Sequence, residues 1–222
     1  MKIVIINGSL RKNGATAYIL HKIEEILLSK GAEVLFYDLI EQNMSYCTGC
    51  CFCYKKGHCI KNDDAEYISN QIVTADAVVL GSSTIASNVS SVMKAFIDRG
   101  HFVVELLLYK KYSMCVTTYE NYGGKHALKV LKNLVKLSGS FLSGCIAEKT
   151  PFNYDLSKNR KLNNIIIKKT NRLFNDILHK KQYRLQGLKH KIIMNIGLKP
   201  FIKRKGNEYE AINKRWSDIG LM

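Results

Sequence analysis

Five of the seven cysteines in this chain fall within the thirteen residues from Cys47 to Cys59. Such crowding points to metal or redox chemistry rather than to a disulfide framework. Cys47, Cys50, Cys53 and Cys59 follow the spacing Cys-x2-Cys-x2-Cys-x5-Cys, with Cys51 as an extra thiol. Soft thiolates select zinc or iron–sulfur clusters. Structural zinc sites usually pair two separated Cys-x2-Cys knuckles. Three cysteines at successive x2 spacing suit one loop wrapped around a cubane cluster better, although Ile60 stands where such a run would carry proline. Spacing alone leaves a cluster and free thiols open, with zinc behind both.

A second stretch, Asn7-Gly8-Ser9-Leu10-Arg11-Lys12-Asn13-Gly14-Ala15-Thr16, lies between an apolar run and an amphipathic one. At a helix start, free backbone N–H groups and the positive end of the helix dipole attract an anion. Ser9 and Thr16 add hydroxyl donors, and Arg11 or Lys12 adds charge. Neither the dinucleotide fingerprint Gly-x-Gly-x-x-Gly nor the Gly-Lys-Ser/Thr ending of a P-loop is present. As chemistry, the loop specifies an anion and no more.

The elements that must position these residues alternate apolar runs with amphipathic stretches, which predicts parallel strands joined by crossover helices. Strands are predicted at Lys2–Asn7, Glu33–Asp38, Ala77–Gly81, Tyr112–Thr118 and Phe141–Ala147. Helices are predicted at Ala15–Lys30, from an N-cap at Asp63 through Ile72, and at Val89–Arg99, Gly123–Leu137 and Ser157–His179. Leu39–Lys61 reads as a loop carrying the cysteines. Five strands with four crossovers give an α/β, flavodoxin-like three-layer sandwich with a parallel sheet in the order 2-1-3-4-5, its ligand at the carboxyl ends of the strands. We expect this domain over residues 1–180 and a basic C-terminal extension over 181–222, ordered in part, with Ile192, Ile193 and Ile196 at helical spacing and Trp216 buried.

The stretch from Asn7 to Thr16 resembles the Gly-Ser-x-Arg-x-x-Gly/Ser-x-Thr/Ser loop of the NADPH-dependent FMN reductase family, which has a flavodoxin-like fold. The resemblance continues in Cys47-Thr48-Gly49-Cys50 with Asp63-Asp64, in Thr74-Ala75-Asp76, and in Lys94-Ala95-Phe96-Ile97-Asp98-Arg99. It covers about the first hundred residues and thins beyond Leu137. It implies that Ser9, Arg11, Asn13, Ala15 and Thr16 hold the FMN phosphate. It further implies that Ser83, Thr84, Ile85, Ala86, Ser87 and Asn88 border the isoalloxazine ring, and that the loop from Thr117, Thr118 and Tyr119 to Gly123 and Gly124 closes the other side. Ser82-Ser83-Thr84-Ile85 departs from the Ser-Pro-x-Tyr common among relatives, which removes a stacking tyrosine. The cysteine spacing is similar to that of iron–sulfur flavoproteins, a branch of the family with a 4Fe–4S cluster beside FMN. That likeness makes Cys47, Cys50, Cys53 and Cys59 the metal ligands; flavin-only relatives with free thiols share the region.

The implied function is an oxidoreductase that moves electrons from NAD(P)H through FMN, by way of a 4Fe–4S cluster if one is bound, to a quinone, a flavin or a protein acceptor. The alternatives are a non-enzymatic flavodoxin-type electron carrier and a metal-binding interaction protein with a degenerate flavin site. The net charge of +16 counts against a carrier with an acidic docking face. Half of it lies between Lys180 and Met222, where eleven Lys or Arg face three Asp or Glu. With no nucleic-acid motif, that charge reads as a solvated surface that attracts anionic cofactors. We expect no nucleic-acid or membrane partner, a homodimer or homotetramer, and a cytoplasmic location, since Met1–Gly8 reads as a strand rather than a signal peptide. No side chain is required as acid or base. Cys115 and Cys145 read as small buried residues, Lys94 and Asp98 as a pair on one helix face, and His101 as a surface or helix-end residue.

Overall fold

The computed structural model describes residues 1–152 and 154–221. Its strands are β1 (Lys2–Gly8), β2 (Glu33–Asp38), β3 (Ala77–Ile85), β4 (Asn88–Val89), β5 (Tyr112–Tyr119) and β6 (Phe141–Lys149). Five of them form a parallel sheet in the order β2-β1-β3-β5-β6. This is the expected order of the five main strands. The addition is β4, which pairs antiparallel with the end of β3. Its two-residue turn, Ala86-Ser87, takes left-handed backbone angles at both positions (φ 46° and 62°). Glycine or asparagine normally fills such a turn, so no sequence signal announced it.

Strands buried on both faces need continuous apolar runs, and Ile3–Ile6 and Ala77–Leu80 are fully buried. On one face pack α1 (Ala15–Ser29) and α6 (Arg160–Leu178), through Ile19, Leu20, Ile23, Ile166 and Leu173. On the other pack α3 (Asp64–Thr74), α4 (Ser91–Arg99) and α5 (Gly124–Leu137), through Ile68, Ile72, Met93, Phe96 and Leu131. The cysteine region is not all loop: α2 (Phe52–Lys56) forms within it. The long last helix of the sheet domain starts at Arg160, capped by Asn159, because a short 3-10 turn at Leu156–Lys158 precedes it.

The C-terminal extension folds as α7 (Arg184–Ile193), α8 (Lys199–Lys205) and α9 (Glu210–Asp218). A π turn at Met194–Leu198 joins α7 to α8. Pro200 accounts for it, since proline lacks the N–H for an ordinary helical bond and crowds the preceding turn. Ile192, Ile193 and Ile196 are helical but exposed. Trp216 is fully buried and donates its Nε1–H to the Val104 carbonyl at 3.0 Å. With Leu106, Met194, Ile202, Tyr209 and Ile212 it forms a third core, against which Tyr54 of α2 packs. The extension therefore supports the cysteine region from below. No helix among the described residues is long and apolar enough to cross a membrane. Trp216→Ala removes the centre of this small core. It should cost about 3–5 kcal/mol, read as a lower denaturant midpoint in an unfolding titration.

Candidate functional site

The loop from Gly8 to Gly14 turns on Asn7, which is fully buried at the end of β1. Its amide donates to Asp38 Oδ1 at 2.6 Å and its Oδ1 accepts the Ser9 N–H at 3.0 Å. The Ser9 hydroxyl donates to the Arg11 carbonyl and accepts the Arg11 N–H, at 2.9 and 3.1 Å. Helix α1 then begins with no side-chain cap and no acidic residue in its first turn. Its leading N–H groups are thus left for an anion. Lys12 is paired with Glu41 on the surface, whereas Arg11 lies over the Phe152 ring, 4.1 Å from its centre. Two further ties set the loop's position. The Thr16 and Thr118 hydroxyls are 2.7 Å apart, and Ser90, the N-cap of α4, donates to the Gly8 carbonyl.

A cavity of about 360 Å³ opens on this loop at the carboxyl ends of β1, β3, β5 and β6. Ser9, Arg11, Asn13, Ala15 and Thr16 line it, together with Ser83, Thr84, Ile85, Thr118 and Tyr119. Ala86, Ser87, Asn88, Thr117, Gly123 and Gly124 are not in its lining. At Gly123 (φ 84°) a Cβ would stand 2.7 Å from Ser87, so the glycine lets the loop after β5 close on the β3–β4 turn. Thr117 Oγ1 donates to the Gly124 carbonyl at 3.2 Å. Sequence reasoning missed the loop after β6, which brings Thr150, Pro151, Phe152 and Tyr154 into the wall. The rule that selects carboxyl-end loops applies equally to β6, and two aromatics in five residues were the available signal. The hydroxyls of Thr84 and Thr150 are buried in this wall without a hydrogen-bond partner. Buried polar atoms are normally satisfied, so these two suit a polar ligand. Together with the free amides and Arg11 they fit a flavin phosphate and its polyol chain.

The cysteine loop is held at its neck by Arg99. The side chain of this helix-end residue is only 1 % exposed. Its guanidinium donates to both Asp63 oxygens at 2.8 Å and to the carbonyls of Ser45 (2.7 Å) and Lys61 (3.2 Å). Asp63 also accepts the N–H groups of Ser45 and Ala65. Burial works against ionisation of Asp63, but Arg99 and these amides outweigh it and lower its pKa. Lys94, by contrast, simply pairs with Asp98 on the exposed face. Cys47, Cys50 and Cys51 are exposed, Cys53 and Cys59 half-buried. Left-handed backbone at Gly49, Cys51 and Gly57 wraps the loop. Hydrogen bonds from the Phe52 amide and the Thr48 hydroxyl lower the Cys50 pKa, favouring thiolate, while burial raises that of Cys53. Cys47, Cys51 and Cys53 line a cavity of about 250 Å³, from whose lining Cys50 and Cys59 are absent. Four thiols in one wrapped segment, one of them already biased to thiolate, are a donor set that suits a cluster. Cys115 is fully buried between strands and Cys145 half-buried.

His101 is not a surface residue. Its side chain is 10 % exposed and sits between Glu66 (Nε2 to Oε2, 2.8 Å) and Glu105 (Nδ1 to Oε1, 2.9 Å). Burial opposes its charge, yet hydrogen bonding to Cys53, Glu105 and Glu66 pushes its pKa up to about 12. Nothing in the local sequence announced this, because Glu66 is thirty-five residues away.

Residues 1–146 match the family described as NADPH-dependent FMN reductase. Along its whole length the chain is 38% identical to an iron-sulfur flavoprotein of Clostridioides difficile (strain 630), over 228 residues covering 100% of both chains. The chain belongs to the NADPH-dependent FMN reductase family, in its iron–sulfur flavoprotein branch. An iron-sulfur flavoprotein of Archaeoglobus fulgidus is 35% identical over 127 residues, 55% of this chain and 56% of its own length. Among solved structures, RosB with bound 8-demethyl-8-formylriboflavin-5'-phosphate superposes with TM-score 0.64 at 14% identity, over 82% of each chain. An apo NADH:FMN oxidoreductase gives 0.56 at 18% identity, over 76% of this chain and 88% of its own. At such identities these structures speak to the fold alone. Within the FMN reductase family this member is a flavin oxidoreductase, and its family match spans both the loop after β1 and the cysteine segment.

Breaking the Arg99–Asp63 pair should loosen the cysteine loop. Arg99→Met leaves a buried carboxylate without its partner and should cost about 3–5 kcal/mol, measured by chemical denaturation. Because the Asp63 pKa is depressed, its stabilisation is complete above the ordinary aspartate value of 3.8 and is lost as pH falls below it. Asp63→Asn should therefore flatten the acid limb of the stability–pH curve.

Proposed function

We propose that the chain is an FMN-dependent oxidoreductase that draws electrons from NADH or NADPH and passes them, through a 4Fe–4S cluster held by Cys47, Cys50, Cys53 and Cys59, to a quinone, a flavin or a protein acceptor. The observation that carries the flavin half is the cavity at the strand ends. Its lining combines an uncapped helix start and Arg11 with the unpartnered hydroxyls of Thr84 and Thr150. The names of the full-length and partial relatives, all iron-sulfur flavoproteins, support the cluster half.

When bound, FMN supplies the exchange between two-electron and one-electron traffic, and a cluster would carry single electrons. The chain's own part is binding and orientation. The amides at the start of α1 and the hydroxyls of Ser9 and Thr16 would hold the phosphate, with Arg11 neutralising its charge. Ser83, Thr84 and Thr118 would order the polyol. Ile85, Tyr119, Phe152 and Tyr154 supply the apolar walls that keep water from a ring, and the β6 loop offers aromatic faces in place of the tyrosine missing at Ile85. No side chain of the cavity wall is assigned as acid or base. The net charge of +16 attracts anionic nucleotides to the molecule as a whole.

Arg11→Ala should weaken FMN binding about 10- to 100-fold, the equivalent of one charge-assisted hydrogen bond, in a fluorescence-quenching titration of apoprotein. Its NAD(P)H oxidation with a quinone acceptor should recover when excess FMN is added. Wild-type protein that neither binds FMN nor oxidises NAD(P)H would contradict this function. Tight FMN binding without NAD(P)H oxidation would leave a carrier in its place.

A further inference from the structure

Among the described residues, one group of thiol, imidazole and carboxylate lies outside the flavin cavity. The ligand atoms of Cys53, His101 and Glu105 are all within 4.8 Å of one another. His101 follows α4 with a left-handed backbone (φ 55°). A non-glycine residue holds that conformation at some cost, and only where its surroundings impose it. Here the imposition is visible. Nδ1 meets Glu105 at 2.9 Å and Nε2 meets Glu66 at 2.8 Å. Ionised carboxylates only accept hydrogen bonds, so an imidazole serving two of them donates from both nitrogens and is a cation. Glu66 Oε2 also accepts the backbone N–H of Cys59 at 3.3 Å. The cation thus stands directly beside Cys53 and, through Glu66, is tied to Cys59. Cys47, Cys53, His101 and Glu105 share the walls of one cavity.

We propose that His101 is a positioning residue for the metal centre, a fixed positive charge clamped by Glu66 and Glu105 that raises the reduction potential of a cluster bound through Cys53 and Cys59. The inference rests on the cluster reading above. Reducing a thiolate-ligated cluster adds negative charge to a site that is already anionic, and a neighbouring fixed cation stabilises that form. Net charge and hydrogen bonding around the sulfurs are what set such potentials. Glu105, on the same cavity, acts with the opposite sign. Removing the imidazolium should disfavour the reduced cluster, and removing the carboxylate should favour it.

The test uses full-length protein purified anaerobically, as wild type, His101→Gln and Glu105→Gln. Iron and sulfide are assayed, then each protein is titrated with dithionite and followed by visible absorbance and electron paramagnetic resonance. His101→Gln should shift the one-electron equilibrium tenfold or more against reduction, about 59 mV downward, and Glu105→Gln should shift it upward. If His101→Gln folds but loses iron, an upward shift in Glu105→Gln still supports the electrostatic role. An unmoved potential in Glu105→Gln would then overturn it, leaving His101 a structural prop. Iron-loaded variants with the wild-type potential would overturn this inference alone. Wild-type protein without iron and sulfide would overturn the cluster reading and the inference together.

Discussion

The Arg99 guanidinium is the point through which both halves of the molecule are fixed to each other. It ends α4, the helix whose N-cap Ser90 bonds to the Gly8 carbonyl beside the cavity at the strand ends. At its other end the same helix grips Asp63 and the carbonyls of Ser45 and Lys61, which flank the cysteine segment. One nine-residue helix thus runs from the loop after β1 to the neck of the cysteine loop. A surface ion pair would contribute little to such a link. This one is buried and bidentate, and Nη1 and Nη2 also reach the carbonyls of Ser45 and Lys61, so breaking it leaves an unpaired buried charge.

From that neck outward, the cysteine loop has few contacts of its own. It is covered by what packs on α2: Tyr54 meets Tyr209, with ring centres 4.8 Å apart, within the core that Trp216 fills. The extension is thus structural on its inner face and basic on its outer one. The placement explains why so charged a segment carries a fully buried tryptophan and isoleucines, and why the proline inside its helix is tolerated through a π turn.

The frame of the fold was legible because its signals are local. Ile3–Ile6 and Ala77–Leu80 are unbroken apolar runs, as strands buried on both faces require. Asp63 sits at a helix start where its side chain accepts an N–H group, whereas the helix expected from Val89 begins only at Ser91, after Ser90 caps it. The place of the loop between β1 and α1 was legible for the same reason. What escaped depends on contacts distant in sequence. The β3–β4 turn uses Ala86 and Ser87 where glycine would be expected. Phe152 and Tyr154 enter the cavity wall only because β6 ends beside β5. His101 becomes a buried cation only when Glu66 and Glu105 converge on it. Nothing in Arg99-Gly100-His101 encodes that, whereas the family-like run Lys94–Arg99 marked the right helix without showing what Arg99 holds.

We propose that one chain carries a flavin and an iron–sulfur centre, with α4 between them. The most direct measurement is the absorption spectrum of anaerobically purified full-length protein, with FMN, iron and acid-labile sulfide quantified on the same sample. Flavin bands on a broad iron–sulfur background are expected, with one FMN to four iron and four sulfide per chain, as a single 4Fe–4S cluster requires. Flavin bands without iron would contradict the cluster, and iron without flavin would contradict the cavity's assignment.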